Sequence, residues 1–194
     1  DEFETIPVRD ARMHLGFTPA ERIVLHLGRM VPRKGVDNVI RACALLRTTY
    51  GIPVRLVIAG GESPKPDAML TPEIGRLQDI AAREGLGGSV SFAGKIERRD
   101  LKWYYSAADI FVTTPWYEPF GITPVEAMAC GTPVIGSKVG GIRFSVEHGS
   151  TGLLVPPEHP ARLAEAMAWL FRRPSAAARG RNRPVFHSPA GSIA

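Results

Sequence analysis

The sequence predicts a three-layer α/β domain, Rossmann-like, with helices on both faces of a six-stranded parallel sheet. Three observations carry that prediction. Short apolar runs of strand length alternate with longer stretches of helical periodicity from Ile23 to Phe171. Glycines or proline-rich loops follow several of these runs, where the chain must turn. A length of 194 residues suits one such domain with a substantial core and leaves no room for a second.

Residues 1–20 read as an interdomain linker with a short helix from Arg9 to Leu15, closed by Gly16 and followed by Thr18-Pro19. The first strand is Ile23–Leu27, ending at Gly28. Val36–Arg47 is helical, with Val36, Val39, Ile40, Cys43, Ala44 and Leu46 along one side. The second strand, Val54–Ala59, stops at Gly60-Gly61. Thr71-Pro72-Glu73 then opens a helix with a cap residue, proline at its first position and early negative charge, and that helix ends by Gly85.

Val90–Ala93 is a third strand, Arg98–Ala107 a helix and Asp109–Thr113 a fourth strand. Thr123–Ala129 is helical, and Pro133–Gly136 and Gly152–Val155 supply the last two strands. Pro160–Phe171 is an amphipathic helix whose stripe is Leu163, Ala164, Met167 and Leu170. The globular unit therefore spans residues 21–173. Beyond it Arg, Pro, Ala, Gly and Ser dominate, so residues 174–194 read as a disordered basic tail.

Charge excludes one function class. Five of the 24 basic residues lie from Arg172 onward with no acidic residue, leaving 19 basic against 19 acidic elsewhere. The net charge of +5 thus arises from Arg172 onward, and the residues before it are neutral in sum. Such a tail binds polyanions weakly and in a salt-sensitive way, but no nucleic-acid recognition motif accompanies it, so no specific nucleic-acid partner is expected. No run approaches a membrane span, and no signal peptide opens the chain. Cys43 and Cys130 lack CxxC neighbours and read as buried free thiols. The chain is placed in the cytoplasm, with peripheral attachment at the inner membrane face left open for an intact enzyme.

Ligands of parallel sheets sit beyond the carboxyl ends of the strands, so chemistry is sought in the loops that follow them. Glu118 to Gly141 reads E-P-F-G-I-T-P-V-E-A-M-A-C-G-T-P-V-I-G-S-K-V-G-G. Thr123-Pro124-Val125-Glu126 has the form of a capping box, which would turn free N–H groups of a helix start toward the ligand end and prepare a phosphate site. Gly121, just before it, would let backbone approach a ligand. A second loop, Gly28-Arg29-Met30-Val31-Pro32-Arg33-Lys34-Gly35, leaves the first strand on the same side.

Glu118 and Glu126 with Phe120-Gly121 between them resemble the EX7E motif of retaining GT-B glycosyltransferases of family 4. Gly131–Ile135 resembles that family's G-T-P-V-I strand, Val139–Gly141 its V-G-G loop, and Thr151–Pro157 its T-G-L-L-V-P-P exit. Arg29 and Lys34 match its G-R-x4-K-G loop. The ordered set covers roughly residues 20–171. It implies the donor-binding half of a GT-B fold that holds a nucleoside diphosphate-sugar, linked to UDP, ADP or GDP.

By that resemblance Arg29 and Lys34 grip the diphosphate, and Glu118 contacts the transferred sugar with help from the N–H groups of Phe120, Gly121 and Ile122. The helix starting at Thr123 adds to the diphosphate grip, Glu126 accepts the ribose hydroxyls, and the base lies against Lys95-Ile96. Two cations beside a departing diphosphate make a metal unnecessary, in keeping with the lack of a DxD motif, so neither metal nor other cofactor is expected. The acceptor would sit on an N-terminal domain that precedes this chain. Arg143-Phe144 replaces the Pro-Glu that relatives often carry after V-G-G.

Blander readings stand beside these. Glu126 could simply complete the capping box, Glu118 could be an ordinary loop carboxylate, and Arg29 and Lys34 taken singly would be surface cations. His26 reads as packed core, and Trp103-Tyr104-Tyr105 as divided between core and surface. Trp116-Tyr117 would either line the sugar pocket or brace the loop. A sugar-nucleotide epimerase of the same fold, or a non-catalytic nucleotide-binding module, are the alternative functions.

Overall fold

The computed structural model describes residues 2–173; the expected tail lies outside the described residues, as does Asp1. Helix α1 (Val8–Leu15) precedes β1 (Ile23–Leu27), α2 (Val36–Tyr50), β2 (Arg55–Ala59), α3 (Pro72–Arg83) and β3 (Val90–Gly94). Then come α4 (Leu101–Ala107), β4 (Ile110–Thr113), α5 (Ile122–Ala129), β5 (Val134–Ser137), α6 (Ile142–Ser145), β6 (Leu153–Val155) and α7 (Pro160–Phe171). The six strands pair in the order β3-β2-β1-β4-β5-β6, all parallel. Leu25 lies across from Val57 on one side and Phe111 on the other.

Side chains alternate across a strand, and here that alternation divides the core in two. Val24, Leu56, Ile58, Ile110, Val112 and Ile135 join the layer covered by α2, α3 and α7. Ile23, Leu25, Val57, Phe111 and Val134 point the other way, under α4, α5 and α6. The α7 stripe read from sequence is fully engaged: Leu163, Ala164, Met167 and Leu170 are all buried. Each large apolar side chain of this kind stabilises the fold by about 1.5–3 kcal/mol.

Segment 2–20 lies along the second layer. Buried Arg12 of α1 donates to the carbonyls of Ala107 and Pro19 and to Asp109 Oδ2 at 2.8 Å. His14 stacks on Trp103 with ring centres 4.1 Å apart. Burial raises the Asp109 carboxyl above its usual range, against the N–H of Ile23 and the charge of Arg12.

Three local expectations need correction. Thr71 does not cap α3 with its side chain; its hydroxyl accepts from the N–H of Glu62. The expected helix from Arg98 begins as a 3-10 turn and becomes α-helical at Leu101. Another 3-10 turn at Pro32–Lys34 and the single turn α6 were missed, being too short to show a period. His26 is fully buried, as read, with Nδ1 3.0 Å from the Val112 carbonyl. Cys43 and Cys130 are free and buried, and burial pushes the Cys43 thiol up to about 12.

Candidate functional site at the sheet switch point

Strands β1 and β4 lie side by side, yet the chain leaves one toward β2 and the other toward β5. Their connections diverge to opposite sides, and a crevice opens at the carboxyl ends. Two loops face each other there, Gly28–Gly35 after β1 and Thr114–Gly121 after β4. Four hydrogen bonds stitch them together. Trp116 N–H donates to the Arg33 carbonyl at 3.0 Å, and Arg33 Nη1 donates to the Tyr117 carbonyl at 3.1 Å. Lys34 Nζ donates to Glu118 Oε2 at 2.5 Å, and Thr114 Oγ1 donates to the Gly35 carbonyl at 3.2 Å.

Gly35 makes that approach feasible. Its φ of +66° is left-handed, and a Cβ would fall 2.1 Å from the Thr114 carbonyl oxygen. Sequence reasoning passed over Arg33, the residue that joins the two loops; adjacent cations offered no signal to tell it from its neighbour. Trp116 and Tyr117 are 46% and 64% exposed, so backbone and not ring carries the brace.

Glu118 and Lys34 each keep only 15% of their side-chain surface exposed. Burial opposes ionisation of Glu118, but the Lys34 ammonium and the N–H groups of Gly121 and Phe120 outweigh it and hold the carboxyl below its usual range. Two of the three N–H groups expected to help at the sugar are thus turned to Glu118. The V-G-G loop supports the same residue from behind. Gly141 N–H donates to the Glu118 carbonyl at 2.7 Å, and a Cβ on Gly140 would fall 1.9 Å from that oxygen.

The capping box does not form. Helix α5 starts at Ile122 with Gly121 as cap at φ 68°, so Thr123 lies inside the first turn and makes no side-chain cap. Gly121 is close not to open ligand space but to its own chain, where a Cβ would meet Ile142 N at 3.0 Å. Glu126 is 7% exposed and turned away from Thr123. Its Oε2 accepts from the Tyr105 hydroxyl at 3.0 Å and its Oε1 from Arg98 Nη1 at 3.1 Å. Phe120 and Ile122 stand 75% and 61% exposed beside this helix start.

Arg29, Lys95 and Ile96 line one cleft of about 170 Å³, together with Gly28, Gly60 and Gly61. Lys34, Glu118 and Glu126 do not line it. The two regions adjoin at Gly28: a Cβ there would lie 4.0 Å from Lys34 Cδ and 3.7 Å from His26 Nε2. A larger concavity of about 400 Å³, lined by Lys138, His148 and Arg162 among others, opens beyond β5 and β6 and shares no residue with the cleft. Among the described residues no three His, Cys, Asp or Glu side chains gather to hold a metal ion, and no helix is long and apolar enough to cross a membrane.

Residues 9–183 match the family glycosyl transferases group 1. The chain is 40% identical over 161 residues to a D-inositol 3-phosphate glycosyltransferase of Mycolicibacterium gilvum, covering 83% of this chain and 34% of that protein. Sucrose-phosphate synthase from Thermosynechococcus elongatus superposes with a TM-score of 0.78 at 39% identity, over 93% of this chain and 42% of that one. Anabaena Alr3699/HepE in complex with UDP and glucose gives a TM-score of 0.80 at 29% identity, over 93% and 47%. The chain spans about a third of the length of the curated relatives it matches. Its parallel sheet, its stitched switch-point loops and these matches lead to one conclusion: the chain belongs to the glycosyl transferases group 1 family and has the fold of a C-terminal GT-B domain.

Proposed function

We propose that this domain binds a nucleoside diphosphate-sugar, linked to UDP, ADP or GDP, for retaining transfer to an acceptor held by an N-terminal domain. The Lys34–Glu118 contact across the switch point, 2.5 Å long, is the observation that carries this reading. It sets a cation for phosphate beside a carboxylate for sugar hydroxyls. Lys34 has three N–H donors, of which one is committed to Glu118, leaving two for the diphosphate. Arg29 adds a second cation, and the start of α5 adds N–H groups of Ile122 and Thr123.

As the sugar leaves its phosphate, negative charge gathers on the diphosphate, and these fixed charges stabilise it without a metal. On this reading the base lies against Lys95 and Ile96, which line one cleft with Arg29. Glu126 takes the ribose. Front-face attack through a short-lived oxocarbenium-like state leaves Glu118 a charge-placing and hydroxyl-binding role. Two buried thiols suit work in the cytoplasm. The UDP and glucose bound by the Anabaena neighbour support a nucleotide-sugar ligand.

Calorimetric titration with UDP, ADP and GDP tests this: at least one binds, and binding by none refutes it. Lys34→Ala is expected to weaken the diphosphate about 10- to 100-fold, the worth of a charged hydrogen bond, and the nucleoside far less. Equal losses for both ligands would contradict the phosphate role. Metal independence predicts undiminished affinity in EDTA.

A further inference from the structure

Sequence alone offers no reason to link Tyr105 and Arg98 to Glu126, which lie 21 and 28 residues away. The structure places both on the one carboxylate expected at the ribose. Tyr105 is fully buried, and its hydroxyl donates to Oε2 at 3.0 Å. Arg98 reaches Oε1 at 3.1 Å from the solvent side, with 60% of its side chain exposed. An ionised carboxylate offers about two lone-pair sites on each oxygen. One site per oxygen is therefore filled by protein and one per oxygen is left, while 8% of the Glu126 side chain still meets solvent.

Both donors are themselves held. The Tyr105 ring packs edge-on against Phe111 at 5.3 Å and Phe3 at 6.1 Å, and Thr132 Oγ1 donates to its carbonyl. Arg98 lies over the Phe3 ring at 5.0 Å and pairs with Glu2 at 2.8 Å. Burial, with the Glu126 charge behind it, pushes the Tyr105 phenol well above its ordinary range, so the hydroxyl stays protonated and can only donate toward the carboxylate.

We infer that Tyr105, assisted by Arg98, is the positioning residue for Glu126, fixing the carboxylate so that one free lone pair on each oxygen faces the two neighbouring hydroxyls of a ribose. The inference rests on the ribose role proposed above for Glu126. Its ligand class is a ribonucleotide with both hydroxyls intact, and it predicts rejection of deoxyribonucleotides. A buried acceptor built to receive a hydroxyl is left unpaired when that hydroxyl is missing.

The test is titration of the 194-residue chain with UDP, ADP and GDP, with their 2′-deoxy counterparts, and with inorganic pyrophosphate. Wild type should prefer the ribonucleotide by roughly tenfold or more. Tyr105→Phe keeps the ring and its packing and removes one hydroxyl. It should bring the ribo-to-deoxy ratio within about threefold while leaving pyrophosphate affinity unchanged, a split that general loosening of the fold would not produce. Arg98→Gln, at an exposed position, should lower the same ratio and stands as the deciding variant if Tyr105→Phe does not fold.

A ratio retained in the variant that folds would overturn the positioning role alone. A wild type indifferent to the 2′-hydroxyl would overturn the ribose reading of Glu126 and this inference with it. Binding by none of the three nucleotides would remove both.

Discussion

Lys34 and Glu118 stand 84 residues apart in the chain and meet through 2.5 Å. Each was legible as a candidate because its motif is local; their contact was not, because it depends on which strands neighbour each other. Separations of 21 and 28 residues likewise hid Tyr105 and Arg98 behind Glu126. Beneath the loop, His26 gives a residue-scale prediction. Its Nε2 has no hydrogen-bond partner among the described residues, and burial, against the Val112 carbonyl and with the Lys34 charge, lowers its pKa from 6.5 to about 4. The folded state thus resists a proton that the unfolded chain accepts. Stability is full above pH 6.5 and falls as pH drops toward 4, by about 3 kcal/mol in all. Denaturant titrations across that range should show the slope, and His26→Gln, which does not titrate, should flatten it. An unchanged slope in the variant would assign the acid sensitivity to other groups.

At the scale of elements, periodicity served well where an element buries a whole face. The bounds read for β1 and α7 match, Ile23–Leu27 and Pro160–Phe171. It failed at the start of α5, because T-P-V-E has the same appearance whichever residue caps the helix. The choice is made by the loop at 141–142 pressing on Gly121, a contact invisible to any local pattern. Two glycines of similar φ separate backbone preference from close packing. Gly51, which ends α2 at φ +68°, has nothing within 4 Å of the place a methyl group would take, whereas Gly35 has the Thr114 oxygen at 2.1 Å. Gly51→Ala should cost about 1 kcal/mol, lowering Tm by about 2–4 °C. Gly35→Ala should lower Tm by at least twice as much and weaken nucleotide binding, since the stitched loops must part. Thermal melts of the two variants check this, and equal shifts would mean the β1 and β4 loops yield freely.

For the whole molecule, the strand order places Arg29, Lys34, Lys95 and Ile96 on the half built from β1 to β3, and Glu118 to Glu126 on the half from β4 onward. Neither half carries the candidate site alone. The order was not spelled out by the sequence; alternating strands and helices allow several parallel arrangements, and the motifs narrowed them through a resemblance. The excess of basic charge is confined in sequence to the stretch from Arg172 onward. A chain ending at Arg173 loses three of the terminal arginines, 179, 181 and 183. It should bind nucleotide as the full chain does while losing weak, salt-sensitive DNA retention, measured by calorimetry and by electrophoretic shift. Loss of nucleotide binding on that truncation would move the function to the tail.

The Lys34–Glu118 contact also has a kinetic meaning. Paired with each other, the two charges cancel at any distance beyond a few ångströms, so an approaching dianion is drawn mainly by the exposed Arg29 and Lys95 at the cleft rim. Capture and retention are thereby divided between different cations. Neutralising Arg29 or Lys95 should slow association and flatten its salt dependence, whereas loss of Lys34 should show mainly as faster escape of the bound nucleotide.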